Sequence, residues 1–293
     1  MGKDLWEKSE QVKQLFELAS DNTGIEMKKL IFEGSEEELK ATDKTQVAIT
    51  LINVSAGAAL KERGIEAAGA AGFSLGEYSA LYEAGVIKLE DLFPIVKARG
   101  DLMERASRNQ DSPSGNPGMA AVLGLTFEEV SEVLDSLEGV YLANYNSPSQ
   151  IVVSGTYEGI EKCEAVFEEA GARRVIPLKV SGPFHSPLLE EARAGLEEVL
   201  ADYSYSDPQI PVYANVTGER VASGEEAKRL CVQQVVSSVR WVDEEKSIVS
   251  DGYDRFLEVG PGTVLTGLWK YVSKEVKCNP AGKLEEIDQI AEG

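Results

Sequence analysis

The chain has 293 residues, 43% of them hydrophobic and 27% charged, enough for one large domain or a domain with an insertion and too apolar for wholesale disorder. Its 50 acidic residues against 29 basic ones give a net charge of -21, a field that disfavours nucleic acid and anionic membranes as partners. No apolar run reaches the length of about 18 residues needed for a membrane span. The charged start, Met1-Gly2-Lys3-Asp4, holds no signal-peptide core, and Trp6 breaks the myristoylation pattern.

In chain order, residues 4–19 place Leu5, Val12, Leu15, Phe16 and Ala19 on one face, which predicts an amphipathic helix. Residues 45–62 are nearly all apolar and predict a buried helix. Ile65–Ala71, rich in Ala and Gly, is a poor strand by propensity. Gly72-Phe73-Ser74-Leu75-Gly76 leads into a helical stretch that stops at Gly85, and a further helix covers about 90–108. Residues 109–118 form a turn-rich boundary.

From there the rhythm changes. Strands at 119–123, 140–143, 150–154 and 173–178 alternate with helices at 126–137, capped by Thr126, and 157–170. The order βαββαβ is that of a small ferredoxin-like unit inserted in a larger α/β domain. The larger domain resumes near 181 with helices at 187–201, 224–238 and 263–273 and strands at 210–216 and 255–259, an alternation that argues for a mostly parallel sheet. The expected organisation is a discontinuous α/β core over 1–112 and 181–278, a ferredoxin-like subdomain over 113–180, and a mobile tail over 279–293.

Cys163, Cys231 and Cys278 are odd in number and far apart, which reads as reduced thiols in a cytoplasm. With a single histidine and no Cys-x-x-Cys, a His-rich metal site is excluded. The near-phosphate loop at Gly262–Gly267 has Leu268 where a lysine is needed.

Gly72-x-Ser74-x-Gly76 has the form of a nucleophile elbow, in which glycines permit a cramped turn and the serine stands at a helix N-terminus. A glycine-rich turn without chemistry is an equal reading of the pattern alone. Were imidazole to activate Ser74, His185 in Gly182-Pro183-Phe184-His185-Ser186-Pro187 would be the partner by elimination. An ordinary α/β-hydrolase keeps its histidine late, whereas here two predicted strands follow it. Arg99 either binds a substrate carboxylate bidentately or belongs to a solvated face on which Lys97, Asp101 and Arg105 pair, and spacing favours the second.

These motifs, together with Lys97-Ala98-Arg99-Gly100, Asn144-Tyr145-Asn146-Ser147-Pro148 and Glu258-Val259-Gly260-Pro261-Gly262, resemble the malonyl-CoA:acyl-carrier-protein transacylase family in order and spacing over nearly the whole chain. The resemblance implies a hydrolase-like α/β core with a ferredoxin-like insert. It implies that Ser74 becomes a malonyl ester, that His185 is general base and then acid, and that Arg99 pairs with the malonyl carboxylate. The Leu75 N–H becomes an oxyanion-hole donor, and the backbone carbonyl of Gln234 orients the histidine in place of a carboxylate. Asn144 and Asn146 match an asparagine loop beside the site, or merely form a turn. Malonyl-CoA is substrate and acyl carrier protein the acceptor, with no cofactor, nucleic acid or membrane and a monomeric, cytoplasmic enzyme. Phe73 replaces the histidine of many members, with little effect expected. The basic stretch Lys97, Arg99, Arg105 and Arg108 either meets an acidic carrier or pairs within its helix, with the second favoured slightly.

The family starts with a strand and a Gly-Gln-Gly-Ser-Gln loop, whereas this sequence begins just past that point. The resemblance therefore implies a misassigned start or a truncated chain, less active and less stable than one extended upstream. Two other readings stand beside the transacylase: a serine hydrolase or thioesterase, and an inactive remnant that still binds acyl carrier protein.

Overall fold

The computed structural model describes residues 1–35, 38–39, 41–273 and 276–292. The stretch expected as one helix over 4–19 is two, α1 (Lys3–Lys8) and α2 (Glu10–Thr23). Ser9 leaves the helix with extended dihedrals, and its Oγ accepts the Val12 N–H at 3.1 Å while donating to Glu62 at 2.7 Å. A short helix, α3 (Met27–Glu33), follows; its three buried residues give too weak a period to be read. The long apolar segment forms α4 (Thr42–Lys61), whose Val47, Leu51, Ile52 and Ala59 lie at the centre of the main core. Next come α5 (Gly76–Glu83) and α6 (Leu89–Arg108).

The small sheet has strands β1 (Gly118–Leu123), β2 (Val140–Ser147), β3 (Gln150–Gly155) and β4 (Arg174–Pro177), with α7 (Phe127–Leu134) and α8 (Tyr157–Glu169) between them in sequence. Its spatial order is β2-β3-β1-β4 and every pairing is antiparallel. Thr126 and Glu129 close a reciprocal capping box on α7. Alternation divides the sheet's faces. Ala120, Val122, Ile151 and Val153 pack on Val130, Cys163 and Phe167 of the helices, while Met119, Ala121, Ala143 and Val152 pack on Leu178 and Phe184. The second face thus rests on the segment that leads to His185.

The larger body resumes with a 3₁₀ turn (Pro187–Leu189), α9 (Glu190–Ala201), α10 (Gly224–Gln234) and α11 (Trp241–Ser250). It ends with β5 (Phe256–Val259), α12 (Val264–Trp269), β6 (Cys278–Ala281) and α13 (Leu284–Glu292). The mixed α/β class is the expected one, but parallel pairing among the described residues is confined to β5 with β6 and to the isolated bridges Ala70–Val212 and Asn144–Val239. The strand expected over 210–216 is reduced to bridges, because the segment around Gly69 and Gly72 meets it only at Ala70. The helix expected over 224–238 stops at Gln234 because the chain leaves to pair with β2: Val239 N–H donates to Ala143 O at 2.9 Å and Tyr145 N–H to Val239 O at 2.8 Å.

The expected mobile tail over 279–293 is corrected. Apart from Gly293, which lies outside the described residues, it is β6 and α13, anchored by fully buried Ile287 and by Arg63 to Asp288 at 2.6 Å. Ile287→Ala is expected to destabilise the protein by about 2–5 kcal/mol, as for other buried leucine or isoleucine truncations. Urea unfolding checks this; a tail free of the core would leave the midpoint unchanged.

Candidate active site

The loop before α5 turns so sharply that a Cβ on Gly72 would lie 2.0 Å from the Gly76 carbonyl carbon. The demand for glycine therefore falls on position 72; a Cβ at Gly76 meets open space. Among the described residues, the only non-glycine residues with positive φ are Ser74 (51°) and His185 (58°). Such backbone costs about 1–3 kcal/mol and persists only where the surroundings impose it.

Those two residues meet. Ser74 Oγ lies 2.7 Å from His185 Nε2, and His185 Nδ1 lies 2.9 Å from the Gln234 main-chain carbonyl. A carbonyl only accepts, so Nδ1 carries the proton and Nε2 is left to accept from the serine hydroxyl. His185 is 4% exposed, and burial, then the charge of Arg99, pushes its pKa down to about 4. The imidazole is therefore neutral at neutral pH.

Arg99 is only 2% exposed, not on a solvated face. It donates through Nη1 to Gln46 Oε1 at 2.7 Å, and through Nη2 to Gln234 Oε1 at 2.9 Å and Ser74 Oγ at 3.3 Å. Its Nε has no acceptor among the described residues. The other basic residues of α6 pair outward: Lys97 with Asp101 at 2.7 Å, Arg105 with Glu191 at 3.3 Å and Arg108 with Glu104 at 2.7 Å. The Leu75 N–H stands at the N-cap of α5 and makes no hydrogen bond among the described residues.

The structure brings Ser74, His185, Arg99, Leu75 and Gln234 together. Asn144 and Asn146 lie in β2, not in a turn; Asn144 is buried, and the buried Asn146 Oδ1 lacks a partner among the described residues. Phe73 stacks edge-on against Trp241. A cavity of about 590 Å³, lined by Leu137, Tyr141, His185, Pro187 and Ser237 among others, opens between the small sheet and the His185 loop.

Sequence reasoning missed Gln46, Glu77, Asn215 and Glu244. Glu77 Oε2 accepts Gln234 Nε2 at 2.6 Å and the Asn215 N–H at 3.1 Å, and burial raises its pKa to about 7. Glu244 is held well above the carboxylate range by burial and by Glu77, and Glu245 is raised to about 8 by burial. The available signal was a polar residue inside an apolar run: Gln46 in Thr45–Leu60 and Asn215 in Val212–Val216.

The family described as "Acyl transferase domain" matches residues 1–285. The chain is 39% identical over 292 residues to "Malonyl CoA-acyl carrier protein transacylase" of Bacillus subtilis (strain 168), covering 98% of this chain and 90% of the relative. It is 35% identical to the protein of that name in Staphylococcus aureus (strain MRSA252), covering 98% and 92%. Among solved structures, MCAT from Streptococcus pneumoniae superposes with a TM-score of 0.93 at 35% identity, over 100% of this chain and 94% of that one. A malonyl-transacylase solved in complex with a type II PKS acyl-carrier protein gives 0.94 at 34% identity over the same shares.

The buried carboxyls set a pH dependence of stability. Glu245 keeps its proton to about pH 8 when folded but loses it near 4.5 when unfolded, so its contribution is full below 4.5 and lost as pH rises through 8. His185 acts oppositely, its contribution being present above 6.5 and lost as pH falls through 4. Glu245→Gln is therefore expected to melt close to wild type near pH 5 and several degrees higher near pH 8.5, at roughly 2–4 °C per kcal/mol. Thermal melts at both pH values check this.

Proposed function

Since the chain belongs to the acyl transferase family, we propose that it moves malonyl groups from malonyl-CoA to the phosphopantetheine thiol of acyl carrier protein, the step that supplies malonyl units to fatty acid or polyketide synthesis. The observation that carries the residue roles is the convergence on Ser74 Oγ of His185 Nε2 at 2.7 Å and Arg99 Nη2 at 3.3 Å. Ser74 attacks the malonyl thioester carbonyl, and His185 Nε2 takes the hydroxyl proton. The C–S bond breaks, and that proton leaves with the CoA thiol. The carrier thiol then gives its proton to His185 and attacks the malonyl-serine ester; the ester C–O bond breaks, and His185 returns the proton to Ser74 Oγ. Both half-reactions are acyl transfers between a thiol and a hydroxyl, so the chemistry calls for no cofactor. The Gln234 carbonyl does what a triad carboxylate does elsewhere, fixing the tautomer without adding charge.

Arg99 supplies the selectivity. A malonyl group ends in a carboxylate one methylene from the reacting carbonyl, so a guanidinium beside Ser74 Oγ lies within its reach. Gln46 and Gln234 are neutral acceptors, so the cation is hydrogen-bonded but, among the described residues, lacks a directly bonded anion. A charged acyl group is therefore favoured over acetyl. The cavity at His185 gives the pantetheine arm its approach between the subdomains. We propose that the protein works as a monomer and in the cytoplasm, where its three free thiols stay reduced. None of its described helices is long and apolar enough to cross a membrane.

Intact-protein mass after incubation with malonyl-CoA tests the reading: wild type gains one malonyl group and Ser74→Ala none. Persistent labelling of the alanine variant overturns the assignment of Ser74. Release of free malonate without transfer to holo carrier protein makes the chain a hydrolase instead. Arg99→Ala is expected to raise the malonyl KM and erode preference over acetyl, each hydrogen bond to a charged group contributing about 1.5–3 kcal/mol.

With His185 held near 4, the acylation rate is expected to stay level from about pH 8 down to about pH 5 and to fall as pH drops through 4. Stopped-flow acylation across that range, with His185→Ala slower by about a hundredfold or more, checks the base.

A further inference from the structure

Asn215 has no exposed surface and lies in the loop that bridges to Ala70, beneath the elbow. Its carboxamide touches the elbow from both sides. Oδ1 accepts the Ser74 N–H at 2.6 Å, and Nδ2 donates to the Gly72 carbonyl at 2.7 Å. A second donor bond from Nδ2 reaches Glu244 Oε2 at 2.8 Å; the Ser74 N–H, which only donates, and the Gly72 carbonyl, which only accepts, fix which end of the amide is oxygen and which nitrogen. The main chain is also pinned: Asn215 N–H donates to Glu77 Oε2 at 3.1 Å, and its carbonyl accepts the Arg240 N–H at 2.8 Å.

We propose that Asn215 is a positioning residue for the nucleophile, its carboxamide locking Ser74 into the left-handed backbone from which Oγ meets His185 and the Leu75 N–H faces the reacting carbonyl. The inference rests on Ser74 being the nucleophile. The strain at Ser74 needs a fastening, since a serine released from φ 51° relaxes to the right-handed or extended region and swings its own N–H and that of Leu75 with it. One residue at 215 must accept from position 74 and donate to position 72 at once. A carboxamide does both while neutral. A carboxylate accepts only, and an apolar side chain does neither. Gln234 completes the clasp, its Nε2 donating to the Ser74 carbonyl at 3.0 Å.

The titratable groups facing Asn215 are Glu77 from α5 and Glu244 from α11. Arg99 of α6 acts on it only through Gln234 of α10, and His185 lies beyond Ser74. This setting makes Asn215→Asp diagnostic. When ionised, the new carboxylate keeps the bond from the Ser74 N–H but turns its second oxygen on the Gly72 carbonyl and Glu244. When protonated, the carboxyl's single O–H donates to the Gly72 carbonyl as the amide does. Lowering the pH should therefore restore the clasp.

The experiment measures kcat and KM for malonyl transfer in wild type, Asn215→Asp and Asn215→Ala, each first shown to be folded by thermal melting. At about pH 8 both variants are expected to lose roughly tenfold to a hundredfold in kcat, the scale of a small misplacement of a reacting group. Malonyl KM and malonyl-over-acetyl preference stay within about twofold, because the Arg99 contacts are untouched. Towards about pH 5.5 Asn215→Asp recovers kcat, while wild type and Asn215→Ala do not. An Asn215→Asp enzyme equal to wild type at pH 8, a loss confined to KM, or a loss that pH does not reverse each overturns the proposal. Labelling of Ser74 by a fluorophosphonate, which asks only for an activated serine, is expected to slow in the same order. A wild type that takes the fluorophosphonate but transfers no malonyl group removes the proposed function and leaves this inference standing.

Discussion

A guanidinium almost wholly withdrawn from water is the constraint on which the rest of the site depends. Burying Arg99 is tolerable only because acceptors surround it, and those among the described residues are two glutamine side chains and the Ser74 hydroxyl, not a carboxylate. A carboxylate hydrogen-bonded to the same nitrogens would neutralise the guanidinium and blunt the attraction for an acidic acyl group that we propose for it. The uncompensated charge then acts on its neighbours. It helps to keep the histidine neutral and draws Glu77 part of the way back from the value burial alone would impose.

The two subdomains are coupled through the same point. Gln234 closes α10, and the chain leaves that helix directly to pair with the edge strand β2 of the small sheet. Its main-chain carbonyl sets the imidazole, while its side chain spans Arg99, Ser74 and Glu77. The other face of the small sheet packs through Leu178 and Phe184 on the segment that carries His185. The insert is thus a wall against which the histidine loop is braced.

Much of this was legible in the chain. The period-two strands and the Thr126 cap specify the small subdomain because local pattern and tertiary pairing agree there. The elbow and the lone histidine single out Ser74 and His185, which the fold brings within 2.7 Å of each other. Arg99 is disguised by its charged neighbours, although positions 92, 96, 99, 103 and 106 all fall on the buried stripe of α6. The last helix is disguised in the same way, its buried residue standing among charged and polar ones, yet Leu284, Ile287 and Ile290 recur at a helical interval. Glu244 has no local signature and Asn215 only that of one polar residue in an apolar run; their partners are distant in sequence, and only the folded chain brings them under the elbow.

The two left-handed residues have a consequence for how the protein fails. Ser74 and His185 sit in backbone conformations that their own loops do not favour, and the restraint comes from α10, α11 and the small sheet together. Strain of this kind relaxes as soon as any one restraint slackens, before the main core around α4 is disturbed. Competence for the reaction is therefore lost ahead of the fold itself. A population that is still compact and fully helical can already be chemically silent.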